Sequence, residues 1–124
     1  MDLTRVTVSA VLLGRVSYGV ALMAVPRRLA SRWLGEDATR AGAQVALRGL
    51  GARDAILHGG AVLALQREAP LRPWLAASVV GDLTDVIATV AARRRLPAGS
   101  PLATLAVGGG SALISVLLAG IVER

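Results

Sequence analysis

The sequence contains no cysteine, no phenylalanine and no lysine. Without cysteine there is no disulfide framework, no thiolate zinc site and no cysteine nucleophile, and the redox compartment is left open. Aromatic residues amount to two Trp and one Tyr among 124 residues. A soluble core would have to be assembled from Ala, Val and Leu, without the large rings that usually dominate core burial. All 14 cationic side chains are Arg, and the formal net charge is +6. Such an excess suits nucleic acid in principle. Here the arginines lie between apolar runs with almost no aromatic partners to stack bases, so no nucleic acid is expected. What the chain has in abundance is apolar surface: 54% of its residues, more than a soluble domain of this size carries, which points to a bilayer.

Four apolar segments can be drawn, over about 6–25, 41–65, 71–92 and 102–122, each near the roughly 20 residues that cross about 30 Å of hydrocarbon. Only the last is free of charge throughout, so a soluble helical bundle stays open as an alternative. Pro26 closes the first segment, and "PRRLASRWLG" then sets Leu29, Trp33 and Leu34 against Arg27, Arg28 and Arg32, the pattern of a short helix lying in a membrane interface. Trp33 and Trp74 are placed as interfacial anchors. "QREAPLRPW" and "RRRLPAGSP" supply the remaining turns. The expected fold is all-α: a single domain over 1–124, an integral membrane four-helix bundle with a short interfacial helix after the first span. Arg27, Arg28, Arg32, Arg40, Arg93, Arg94 and Arg95 fall on one side, and Arg5, Arg67, Arg72 and Arg124 on the other. The positive-inside rule then puts both termini outside the cytoplasm. A cleaved signal peptide fits poorly, since Arg15 interrupts the first apolar run.

The ionisable residues inside these segments are patterned. In "LRGLGARDAILHGG" (47–60) a helical turn of about 100° per residue brings Gln44, Gly51, Asp54 and His58 within one arc of about 80°, with Arg48 beside it and Arg53 on another side. In "SVVGDLTDVIAT", Ser78, Asp82, Asp85 and Thr89 form one polar stripe. Arg15 and Tyr18 share a face of the first segment, and Thr104, Gly108, Ser111 and Ser115 share a small-residue face of the last. Counted from the cytoplasmic ends, Arg15 and Asp82 lie at one depth and Arg48 and Asp85 at another, which predicts the pairs Arg15–Asp82 and Arg48–Asp85. Three arginines (15, 48, 53) face three aspartates (54, 82, 85), the neutrality an apolar medium demands. A pocket is expected among Tyr18, Arg48, Asp54, His58, Asp82, Asp85 and Ser111, opening outward or laterally rather than past the Arg-rich end. His58 reads as a satisfied polar group on a packed face. Asp54, His58 and Asp82 could offer metal ligands, but neighbouring Arg competes for the carboxylates, so neither a metal nor a cofactor is expected. Gly49 and Gly51 are not a nucleotide fingerprint, because no strand precedes them.

The pattern R-x-x-G-x-R-D in "RGLGARD" (48–54), followed by D-x-x-D in "DLTD" (82–85) and preceded by a Pro-ended first helix, resembles a family of small four-helix integral membrane proteins of actinobacterial and fungal type. The resemblance covers most of the chain. It implies an all-helical membrane domain with Arg48, Arg53, Asp54, Asp82 and Asp85 as the residues of interest, and it supplies no reaction.

Intramembrane ionisable residues mark sites, because a charge there is costly. A membrane-embedded acid–base enzyme would use Asp54, Asp82 and Asp85 for proton transfer and Arg48 to polarise an oxygen. Arg15, Tyr18, Arg53, His58 and Ser111 would bind a lipophilic small molecule. Isomerisation, cyclisation or epoxide opening needs only these parts. A small oligomeric transporter or proton-coupled carrier, and a structural or accessory subunit, are the alternatives. A cation carrier wants a net negative site, so a balanced set of charges favours a static pocket. The expected partners are membrane lipid, a lipophilic small molecule and, in the carrier reading, further copies of the chain.

Overall fold

The computed structural model describes residues 2–122, and every described element is helical. Asp2 opens α1 (Leu3–Ala24) by accepting the Thr4 N–H at 3.0 Å. The helix ends at Val25 because Pro26 follows, and that proline begins α2 (Pro26–Leu34) at the one helical position where a missing N–H costs nothing. Gly35, at φ 63°, ends α2 in a conformation open to glycine, and a 3₁₀ turn (Gly35–Thr39) leads into α3 (Ala41–Gln66). Pro70 lies in the turn to α4 (Arg72–Ala91), and a 3₁₀ turn of Arg93–Arg95 follows. The last run is continuous but irregular: α5 (Ser100–Thr104), a π-helical turn (Leu105–Gly109) and α6 (Gly110–Val122). The expected segments therefore correspond to α1, α3, α4 and α5–α6 within a few residues. Arg124, counted above on the terminal side, lies outside the described residues.

The helices pack in the order α1, α3, α4, α6. The α1–α3 contact is the most extensive, because Gly19 and Gly51 let the backbones touch: a Cβ on Gly51 would come within 2.5 Å of the Gly19 carbonyl oxygen. Two apolar clusters hold the ends. Val8, Leu12, Ala61, Leu71, Leu75 and Leu118 close the end near the N-terminus, where Arg5 donates to the Leu65 carbonyl at 2.8 Å. Leu22, Ala30, Ala38 and Leu47 anchor α2 at the other end, where Ser100 Oγ donates to the Trp33 carbonyl at 2.5 Å. The first and third connections thus share one end, as the Arg count assumed.

Both tryptophans turn inward rather than outward. The Trp33 indole N–H donates to Thr89 Oγ1 at 3.0 Å, and the Trp74 ring packs directly over Gly60, where any side chain would collide with it. Each ring fills space that an Ala- and Gly-rich interior leaves. The outer surface is apolar: α1 and α4 are long and apolar enough to cross a membrane, with only 22% and 17% of their apolar windows buried.

Candidate functional site

At the middle of the helices Arg15 reaches inward from α1 and binds the other three. Its Nη1 donates to Ser115 Oγ at 2.7 Å and to Ser78 Oγ at 3.1 Å, and lies 3.2 Å from His58 Nε2. Its Nη2 donates to the Ser111 carbonyl at 2.6 Å and to the Ser111 hydroxyl. His58, Ser78 and Ser115 are buried, so a charge that burial would penalise is surrounded by acceptors. The expected Arg15–Asp82 ion pair does not form. Serine and histidine oxygens and nitrogens lie closer, and Asp82 acts on the guanidinium only through its field. His58 is a satisfied core group: Nδ1 sits 2.7 Å from the Asp54 carbonyl oxygen, which can only accept, so Nδ1 carries the proton.

The second polar group joins α3 to α4. Arg53 Nη2 donates to Asp54 Oδ1 at 3.1 Å and to Asp85 Oδ2 at 3.0 Å, forming two ion pairs. Its guanidinium lies over Gly81, where an added Cβ would stand 3.1 Å from Cζ and crowd the bridge. The partner of Asp85 is therefore Arg53, not Arg48. Arg48 is exposed and donates from Nε to the Met23 carbonyl at 3.1 Å, one of the carbonyls that the end of α1 leaves open. Its long stem carries the charge from the first third of α3 towards the α2 end. The catalytic role assigned to Arg48 from the sequence is corrected accordingly: it caps α1 and does not reach the cavity.

Between the Arg15 layer and α2 lies a cavity of about 690 Å³. Tyr18 and Arg15 of α1, Asp54 and His58 of α3, Asp82 and Asp85 of α4, and Ser111 of α6 line it, as do apolar side chains such as Leu22, Leu50 and Ile114. Of the expected boundary, all but Arg48 is brought together. Arg53 stands behind the wall, in its ion pairs. The cavity occupies the seam between α1 and α6, whose backbones stay apart, and it reaches α2 through Leu29, Arg32 and Trp33. The lining runs from Val11 and His58 to Leu29 and Arg32, so the space extends towards the α2 end, and its place in the α1–α6 seam is on the lateral side that the sequence offered beside an outward one.

One group in this wall is not satisfied. Asp82 Oδ2 is buried and has no hydrogen-bond partner among the described residues, although Ser111 and Arg15 are near. The π-helical turn passes directly over this position: a Cβ on Gly108 would meet Val86 at 2.9 Å and the Asp82 carbonyl oxygen at 3.3 Å. Such turns occur often at functional sites, because the extra residue re-aims the helix.

Sequence reasoning missed Ser78 and Ser115 as Arg15 acceptors, though each lies four residues from a predicted site residue on the same face. It also missed Trp33 and Arg32 as cavity-wall residues, since a helix read as lying in an interface offers no sign that it covers a cavity. Among the described residues no group of three His, Asp or Glu side chains could hold a metal ion. No protein-family model, curated protein or solved structure matches the chain.

Proposed function

We propose that the chain is a four-span membrane protein, with both termini outside the cytoplasm, that binds a lipophilic small molecule in this cavity and exchanges a proton with it through Asp82. This is a membrane-embedded acid–base enzyme of the isomerase, cyclase or epoxide-opening type. One observation carries the reading: Asp82 lines a largely apolar cavity, and its Oδ2 is buried without a hydrogen-bond partner among the described residues. A group kept only for structure would be paired, because an orphaned buried charge is costly. A general base must instead keep an oxygen free for the proton it takes.

The membrane assignment is supported by the outer surface. Val45, Ile56, Val80, Ile87, Val107 and Leu113 all point outward and are more than half exposed. Exposed Thr7, Ser17 and Thr84 return their hydroxyl protons to carbonyls four residues earlier, the arrangement that satisfies a hydroxyl where no water is available. At 26 residues, α3 is long enough to span at about 1.5 Å per residue, and Arg48 relieves the cost of its position by reaching the α2 end.

A proton-coupled carrier is the second reading, favoured by a cavity that extends towards one end only. Against it stands the Arg15 layer, since outward opening would break its bonds to α3, α4 and α6 together. The two readings separate in D2O. Protein in lipid nanodiscs is incubated with a total lipid extract, and deuterium is sought by mass spectrometry. Label enters one component with the native chain and not with Asp82→Asn. Gly14→Phe also abolishes it by filling the cavity, at a position where an added Cβ meets nothing. Label that persists in Asp82→Asn overturns the proposal.

A further inference from the structure

The charge count around the cavity differs from the balance of three against three that the sequence suggested. Arg48 has left the interior for the end of α1, and Arg32 is exposed at the cavity's α2 end. Arg15 and Arg53 remain, against Asp54, Asp82 and Asp85. His58 adds nothing: Nδ1 donates to a carbonyl, and Nε2 lies 3.2 Å from Arg15 Nη1, which can only donate, and 3.0 Å from Ser78 Oγ, which accepts from Arg15 and has its own proton to give, so Nε2 accepts and the ring is neutral. Two cations against three carboxylates leave one negative charge. Arg53 alone serves both Asp54 and Asp85, and Arg15 stands near Asp82 without a bond to it, so the excess is shared by three carboxylates of which Asp82 alone has no ion pair among the described residues.

Resting on the reading above, we propose that the lipophilic molecule is an amine, its ammonium held against the Asp82 carboxylate in the cavity wall. An ammonium supplies the positive charge that two cations against three carboxylates lack. An alcohol would supply a donor and leave the charge. A carboxylate would face three others, and both terminal nitrogens of Arg15, like Nη2 of Arg53, are already engaged. The hydrocarbon part fits beside Val11, Leu22, Leu50, Val107 and Ile114, in a volume within the roughly 300–1,000 Å³ usual for small-molecule sites.

The two tryptophans make the test direct, because Trp33 lines the cavity while Trp74 belongs to the closed apolar end. In a Trp74→Phe background in lipid nanodiscs, Trp33 fluorescence is titrated with ω-bromoundecylamine, ω-bromoundecanol and ω-bromoundecanoate, whose bromine quenches on contact. The amine is expected to quench at a concentration about tenfold or more below the alcohol, a charge-assisted bond being the stronger one. Asp82→Asn should remove that preference and Asp82→Glu keep it. Equal quenching by amine and alcohol, both blocked by Gly14→Phe, overturns the amine assignment and leaves a cavity for neutral lipophiles. An amine preference that survives Asp82→Asn overturns Asp82 as its partner. Quenching that Gly14→Phe does not alter overturns the binding cavity itself.

Discussion

Two polar regions lie side by side in this protein and are built to opposite rules. Around Arg15 the terminal guanidinium nitrogens find serine and histidine acceptors on three neighbouring helices, and the layer is closed. Around Asp82, a residue of the cavity wall, a buried oxygen is left without a donor among the described residues. Both regions use groups that are expensive in an apolar setting, and only the first offsets that expense within the fold. The contrast teaches that the Arg15 layer stabilises the structure, whereas Asp82 is retained at a cost to stability for what it does to a bound molecule.

Substitutions can break this contrast from either side. The largest loss is expected from Arg15→Leu, which strips a donor from Ser78, Ser111, Ser115 and His58 at once and takes from Asp82 the cation beside it. Removing one member of a buried charged network costs about 3–5 kcal/mol, and denaturation in mixed micelles should record it. Next comes Gly51→Leu, which forces α1 and α3 apart where their backbones touch. Overpacking of this kind costs about 1–3 kcal/mol, and the same unfolding assay measures it. Arg53→Met leaves Asp54 and Asp85 unpaired, but the three side chains are 33%, 19% and 27% exposed, so about 1–2 kcal/mol is expected after allowing for screening. Adding Asp85→Asn to Arg53→Met should recover part of that loss. The smallest effect belongs to Arg48→Met. It removes a hydrogen bond from the exposed end of α1, worth about 0.5–1 kcal/mol, and should leave ligand quenching of Trp33 unchanged.

The elements were legible because their signals are local. Pro26 and Pro70 mark breaks that lie where the helices end, and the polar stripes of α3 and α4 follow from turn geometry alone. The wheel that grouped Asp54 with His58 and Asp82 with Asp85 placed all four on the cavity wall. What was not legible depends on reach and on glycine. Matched depth suggested Arg48 for Asp85, yet Arg53, on another side of α3, extends over Gly81 to take that place. Depth along a helix says nothing of where a long flexible side chain puts its charge. The sequence pairing of Arg15 with Asp82 failed for a related reason: hydroxyls of Ser78, Ser111 and Ser115 compete for a guanidinium as well as a carboxylate does once they surround it. Nor could the Gly19–Gly51 crossing be read, since glycines in a chain this rich in them acquire meaning only when two helices are set against each other.

The most direct test of the contrast is to compare thermal unfolding of Asp82→Asn with that of Arg15→Leu, alongside the deuterium exchange each supports. If Asp82 serves a bound molecule and not the fold, Asp82→Asn unfolds at the native temperature or above it, because a neutral amide replaces an orphaned buried charge, and deuterium exchange is lost. An Asp82→Asn protein that unfolds as early as Arg15→Leu, or that exchanges deuterium at the native rate, would contradict the account.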